Sequence, residues 1–374
     1  MPESRRSSVA LAVLACLYAG AVIPLAIHKG GDFTSELGQS ERLLHGLPPF
    51  GAADPNLGVP WPPFSAMALI PFALIARCSL ALAKGLWAAA GVACVWWCLR
   101  RAARRGTRPA LLALAAVLVP LQTNFEHLNI AAILLALVVL AIDDLEAGNE
   151  TRAGVAIGLA AALKAFPGLL LVYFAVQRRW RALAVGALVA VSLTLIALLP
   201  LGAGGAITGV VDWMTLGLEH RWATQPTADQ SLAALAFRLG IPTVLGSVIG
   251  AVALVVTLAV AARRRRSATE ILLGAGACTL LAVLLSPIAW VHSLVLLYPA
   301  WLGVLAAGPV GSTQRLVLIA AGVGTSGLLT VGPRAWRSGL LAHSAYTWSA
   351  MLLWIVVIFL LWQHRTPRPQ EQTS

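Results

Sequence analysis

Long apolar runs separated by short polar breaks fill the chain, from a first run at residues 9–27 to a last at 345–362. The runs show no period-two alternation, and most approach the ~20 residues that an α-helix needs to cross a bilayer. Lipid offers the backbone no hydrogen-bond partners, so a spanning chain is either helical or a closed barrel; unalternating runs select helices. The pattern predicts crossings at 9–27, 80–99, 109–122, 127–142, 182–201, 243–262, 268–285, 291–307, 313–331 and 345–362. Residues 62–77 are apolar but broken by Pro62, Pro63 and Pro71, and read as a re-entrant or interfacial helix. Residues 152–181 have basic flanks on both sides and read as two short helices folded back at Lys164–Pro167. The expected fold is therefore an all-α polytopic membrane protein of about 12 helices. It forms one transmembrane domain over 1–362, with a first outer loop at about 28–79, a second at about 202–230, and a disordered cytoplasmic tail at 363–374.

Composition agrees. Of 374 residues, 59% are hydrophobic and 11% charged, with mean hydropathy +0.82, against about 25% charged in a soluble domain. The net charge of +12 would suggest a nucleic-acid partner in a soluble protein. Here the bases sit between apolar runs, where they orient the chain and meet anionic head groups, so the partners expected are membrane lipids and not nucleic acid. Arginines cluster at 100–108, 178–181 and 263–266. Placing these clusters inside puts both termini in the cytoplasm and retains the first apolar run as a helix. The five cysteines lie in or beside apolar runs and form no disulfide or zinc pattern.

With that orientation the outer face collects the residues able to do chemistry. Lys164 sits where two apolar helices meet, and a lysine at the bilayer centre costs about 2.5–3.5 kcal/mol. It either snorkels to water or faces a cavity and binds an anion such as phosphate. Glu126, His127 and Asn129 form a polar island between two runs, which is a surface loop or a helix end projecting into a cleft. His292 follows the break "SPIAW" and is a packing residue or a phosphate- or proton-handling one. The 202–230 loop mixes Arg221, Asp229 and Gln230 with tryptophans, which suits a membrane interface and also sugar or head-group binding. Asp32, at the mouth of the first helix, is a solvated loop carboxylate or a general base for a bound hydroxyl. A phosphate leaving group departs as a stable anion, so one base and one phosphate clamp would be enough.

The order and spacing of these segments resembles glycosyltransferase family 87, membrane mannosyltransferases of the GT-C fold. The resemblance runs from about Asp32 to Tyr298 and rests on "DFTSELGQSERLLHGLPPF", "WPPF", "AGVAIGLAAALKAFPGLLLVYFAVQRRWRAL", "DQSL" and "LLSPIAWVHSLVLL". It implies a GT-C-type bundle with outward-facing active-site loops in the cytoplasmic membrane. The implied reaction moves mannose, or a related sugar, from a polyprenyl-phosphate donor to a glycolipid or glycan hydroxyl, with inversion. By the resemblance Asp32 is the base and His292 belongs to the active site. Lys164, with Asn129 and His127, is expected at the donor phosphate, and Arg221 and Gln230 in a substrate loop. No cofactor is expected, and the absence of an Asp-x-Asp in the first loop gives no support for a metal. Four positions depart from the family: Glu126 and His127 stand for Gly and Gln, Asp229 for Asn, and Trp61 for Tyr. The competing expectation is a transporter or flippase of a lipid-linked sugar.

Overall fold

The computed structural model describes residues 3–50, 61–218, 228–262, 267–308 and 311–363. Arg221, the arginines at 263–266 and the tail from 364 lie outside the described residues. Among the described residues the regular structure is helical, with one isolated bridge between Asp229 and Trp290. The helices are α1 (Glu3–His28), α2 (Gly31–Leu44), α3 (Pro63–Ala68), α4 (Ile70–Cys78), α5 (Leu80–Ala103), α6 (Thr107–Ala115) and α7 (Leu118–His127). There follow α8 (Ala131–Glu146), α9 (Glu150–Leu163), α10 (Leu169–Val176), α11 (Trp180–Leu198), α12 (Gly202–Leu218) and α13 (Leu232–Arg238). The last are α14 (Thr243–Ala261), α15 (Ala268–Leu284), α16 (Tyr298–Ala306), α17 (Ser312–Ser326), α18 (Arg334–Ala342) and α19 (Ala345–Gln363).

By length and composition, four described stretches can each cross a membrane: Leu80–Ala103, Trp180–Thr215, Thr243–Ala261 and Ala345–Gln363. The pair α6 and α7 makes a fifth if its 61° bend lies within one crossing. The segments outnumber the expected 12 because several apolar runs are built from two short helices instead of one. The run at 62–77 is α3 followed by α4, with Pro63 and Pro71 in their first turns, where a missing N–H costs nothing. The run at 109–122 bends before Leu118 and continues as helix to His127. α15 is buried on every face from Ile271 to Leu284, as a helix apolar all round must be, and forms the centre of the bundle.

Two helix pairs set the distance between the ends of the molecule. α5 starts beside the first loop, where Lys84 donates to the carbonyl of Lys29, and ends at Arg101, about 25 Å away at 1.5 Å per residue. α8 makes the same journey, from Asn129 to Asp143 and Glu146, and α9 returns to Lys164. The chain then turns at Phe166–Gly168 and α10 runs back, so that Arg179 meets Glu150 at 3.2 Å. Both basic flanks of 152–181 therefore lie at one end, as the folded-back reading requires. α9 packs backbone to backbone on α11: a Cβ at Gly154 would lie 2.5 Å from the carbonyl of Ala182, and one at Gly158 2.5 Å from that of Gly186. Small residues four apart permit this approach in a membrane protein.

Candidate active site

The site is assembled around the junction of α1 and α2. Gly30 adopts a left-handed φ of +47° and its N–H donates to the carbonyl of Glu126 at 2.9 Å. A Cβ there would stand 2.6 Å from Leu128 Cδ1 and 2.8 Å from the carbonyl of Ala26, so only glycine fits. The junction is also held from α5, where buried Lys84 donates to the Lys29 carbonyl at 3.1 Å. α2 then begins with Asp32 in its first turn, where the helix dipole favours a carboxylate. The next residue, Phe33, stacks on Trp87 at 5.4 Å and meets Phe72 edge-on at 6.0 Å.

Trp87 also fixes the opposite wall. Its indole N–H donates to the carbonyl of Leu128 at 3.1 Å. Leu128 has φ +53°, an unfavourable conformation for a leucine, and the N–H of Asn129 closes on the carbonyl of Asn124 at 2.9 Å. These are the features of a left-handed helix cap. The polar island at 126–129 is therefore the end of a helix aimed at α2, not a free loop. Asn129 donates to Asp32 Oδ2 at 2.8 Å, and His127 Nδ1 lies 3.5 Å from Asp32 Oδ1. Lys29 and Glu126 pair at 3.2 Å beside them, half exposed.

A third element arrives from late in the chain. α15 is followed by "SPIAW", and Ser286 steadies the break by donating to the Ile288 carbonyl at 2.8 Å. His292 opens the following 3₁₀ turn, is 3% exposed, and places Nε2 3.9 Å from Asp32 Oδ2. Its ring lies 5.9 Å from that of His127. A fourth element carries Lys164, which caps α9 and stands with its ammonium 5.3 Å over the ring of Trp61. Ser65 donates to the Leu163 carbonyl and ties α3 to this turn. The carboxylates whose charge reaches Lys164 are Asp32 and Glu36.

Burial alone would raise the pKa of Asp32. Hydrogen bonding from His127, the positive charge that His127 can carry, and the amide of Asn129 outweigh it and hold the carboxyl well below its ordinary range. The site thus contains an ionised carboxylate beside two imidazoles, with a cation in electrostatic reach. Several buried polar atoms around it have no hydrogen-bond partner among the described residues: Glu36 Oε2, Asn129 Oδ1 and His292 Nε2. Native interiors rarely leave such atoms unmet, and a substrate is one way to meet them. No group of three His, Cys, Asp or Glu side chains among the described residues is arranged to hold a metal ion.

Not every candidate converges. Gln230 is fully buried and structural in its contacts: its amide donates to the Leu341 carbonyl at 3.2 Å, and its own carbonyl accepts from Thr347 at 2.8 Å. It sits in a clamp built on Asp229, whose carboxylate accepts from the N–H groups of Ser231 and Ala289, both at 2.9 Å. This clamp fixes "SPIAW", and through it His292, against α13. These contacts hold Gln230 against the Leu341 carbonyl and the Thr347 hydroxyl, and tie it to "SPIAW" through the Ala289 carbonyl. Asn129 and His127, expected at the donor phosphate, are placed on the carboxylate of Asp32. Three contributors escaped the sequence reading. Lys84 carried the signal of a lysine inside an apolar run, and Glu36 that of an acid four residues after Asp32. Trp87 carried none.

The model of Glycosyltransferase family 87 matches residues 60–287 of the chain. That range contains Trp61, His127, Asn129 and Lys164 and ends before His292. The structure is similar to the crystal structure of ArnT from Cupriavidus metallidurans bound to undecaprenyl phosphate, with TM-score 0.46 and 18% identity, covering 94% of this chain and 77% of that one. No curated protein sequence matches.

Proposed function

Since this chain belongs to glycosyltransferase family 87, we propose that it transfers mannose, or a related sugar, from a polyprenyl-phosphate donor to a hydroxyl of a glycolipid or glycan. The observation that carries the reading is the convergence on Asp32 of Asn129, His127 and His292, with Lys164 in electrostatic reach. Asn129 donates to Oδ2 and His127 faces Oδ1 at 3.5 Å, so a proton is taken by the second lone pair of Oδ1. In the transfer the acceptor oxygen bonds to the anomeric carbon as the bond from that carbon to the phosphate oxygen breaks. The electron pair leaves with the polyprenyl phosphate, the acceptor proton passes to Asp32 Oδ1, and the anomeric configuration inverts.

The depressed pKa of Asp32 makes it a weak base in the empty site. An arriving donor phosphate brings negative charge close to it and opposes the histidines, so basicity rises when the donor is in place. Lys164 is the group we assign to that phosphate, held by Trp61 at a helix end where its ammonium need not enter lipid. His292, deeply buried, holds its Nε2, which has no hydrogen-bond partner among the described residues, 3.9 Å from Asp32 Oδ2. The arginine-rich end of α5 and the Glu150–Arg179 contact lie at the far end from Asp32. By the positive-inside tendency this supports an outward-facing site and cytoplasmic termini, in the cytoplasmic membrane.

The test uses protein in lipid nanodiscs with radiolabelled polyprenyl-phosphate mannose and a membrane glycolipid extract. Label entering a new product with wild type, and not with Asp32→Asn, is the expected result. No product, together with movement of labelled lipid across a sealed bilayer, would replace the transferase with the flippase reading.

A further inference from the structure

Glu36 has no role in the mechanism above, yet its placement is unusual. It lies one helical turn after Asp32, so the two side chains share a face of α2 at about 5–6 Å between Cβ atoms. Its carboxylate accepts a hydrogen bond from the backbone N–H of Trp61, the residue whose ring Lys164 covers. Glu36 therefore lies one turn from the base and is hydrogen-bonded to the residue over whose ring the Lys164 ammonium stands. It is 4% exposed, and its Oε2 has no partner among the described residues.

A carboxylate so buried, with one oxygen satisfied and one free, is costly to leave unmet. A merely structural charge partner for Lys164 would close on it, but no ion pair within 4.0 Å joins them, and the lysine sits over Trp61 instead. In the proposed reaction the anomeric carbon must lie between Asp32 and the phosphate held by Lys164. The sugar hydroxyls nearest that carbon then face Glu36. Resting on that reaction, the geometry points to Glu36 as a specificity residue that hydrogen-bonds a ring hydroxyl of the transferred sugar through Oε2. Its ligand class is a pyranose with a free hydroxyl close to the anomeric centre. Burial and the neighbouring Asp32 charge raise the Glu36 pKa, and Lys164 and the Trp61 N–H oppose them only in part. The protonated acid can still donate to a hydroxyl oxygen, so the contact survives in either state.

The test measures kcat and KM for a series of polyprenyl-phosphate hexose donors, each lacking one ring hydroxyl, with wild type, Glu36→Gln and Glu36→Ala. Wild type should lose roughly 10- to 100-fold in kcat/KM for one deoxy donor, the cost of leaving a buried polar partner unmet. Glu36→Ala should treat that donor and the full sugar alike, and Glu36→Gln should discriminate in between. Each ratio is taken within one variant, so partial misfolding cancels. Equal discrimination by wild type and Glu36→Ala would overturn the assignment while leaving the transferase reading standing. Absence of wild-type turnover and binding with every polyprenyl-phosphate hexose would overturn both.

Discussion

The two ends of the bundle use charge in opposite ways. At the end where α5, α8 and α9 meet, carboxylates face guanidinium groups. Arg105 bonds Asp143 at 2.9 Å and also Glu146, Arg101 reaches Asp143 at 3.4 Å, Arg152 reaches Asp144 at 3.5 Å, and Arg179 reaches Glu150 at 3.2 Å. At the Asp32 end Glu41 and Glu126 pair with Arg77 and Lys29, while Asp32 meets imidazoles, an amide and a distant ammonium. Guanidinium forks match carboxylates in shape and remain charged, so they lock helix ends together. Imidazoles and a long-range lysine leave capacity for something else to bind. Asp144 and Glu146 at the arginine end also keep a buried oxygen without a hydrogen-bond partner among the described residues, so the difference between the ends lies in which donors the central carboxylates meet.

The comparison breaks most visibly at Asp32. Asp32→Asn should lower transfer by about 10²–10⁴-fold, the usual worth of a general base, with thermal stability and donor binding nearly unchanged. Joint loss of donor binding and thermal stability would mark a structural carboxylate. Lys164→Met should come next, with about 10- to 100-fold weaker donor binding in a direct titration, because a charged contact to phosphate is lost. A fall in kcat alone would remove Lys164 from the phosphate.

A smaller effect sharpens the electrostatics. Asp32 is active when ionised, and its folded pKa is depressed, so wild-type kcat/KM should keep its activity down to a pH below the ordinary aspartate value of about 3.9. His127→Gln removes a hydrogen bond that favours the anion. The acid-side loss should then move to higher pH, with a few-fold change at neutrality. An acid limb that stays in place would detach His127 from the carboxylate. The smallest expected change in activity lies at the paired end. Arg105→Gln should leave kcat within about two-fold while costing about 2 kcal/mol of stability, read as a lower unfolding midpoint in nanodiscs. Loss of turnover without loss of stability would show that the two ends are coupled.

Much of this division was legible in the chain. Residues 152–181 carried it in their flanks, since two basic exits around a proline-broken apolar run favour a hairpin, and Arg179 does return to Glu150. Asp32, Asn129, Lys164 and His292 stood out because ionisable and amide groups are expensive near lipid. Trp87 did not, because a tryptophan in a spanning helix is ordinary; its importance comes from holding Phe33 with one face and the Leu128 carbonyl with its N–H. Gln230 was legible only as a polar residue of an outer loop, and its ladder to Ala289, Leu341 and Thr347 is visible only in the tertiary structure.

By itself the sequence determined the helical membrane fold, the concentration of arginine at one end, and the small set of polar residues with no bland place to go. These follow from local quantities: apolar length, charge position, and the cost of burying a charged group. Which of those residues meet was a tertiary decision. The left-handed turns at Gly30 and Leu128, braced by Lys84 and Trp87, bring residues 97 positions apart into hydrogen-bond contact at Asp32 and Asn129. Contacts of that span depend on helix crossing and cap geometry, which no local pattern along the chain encodes.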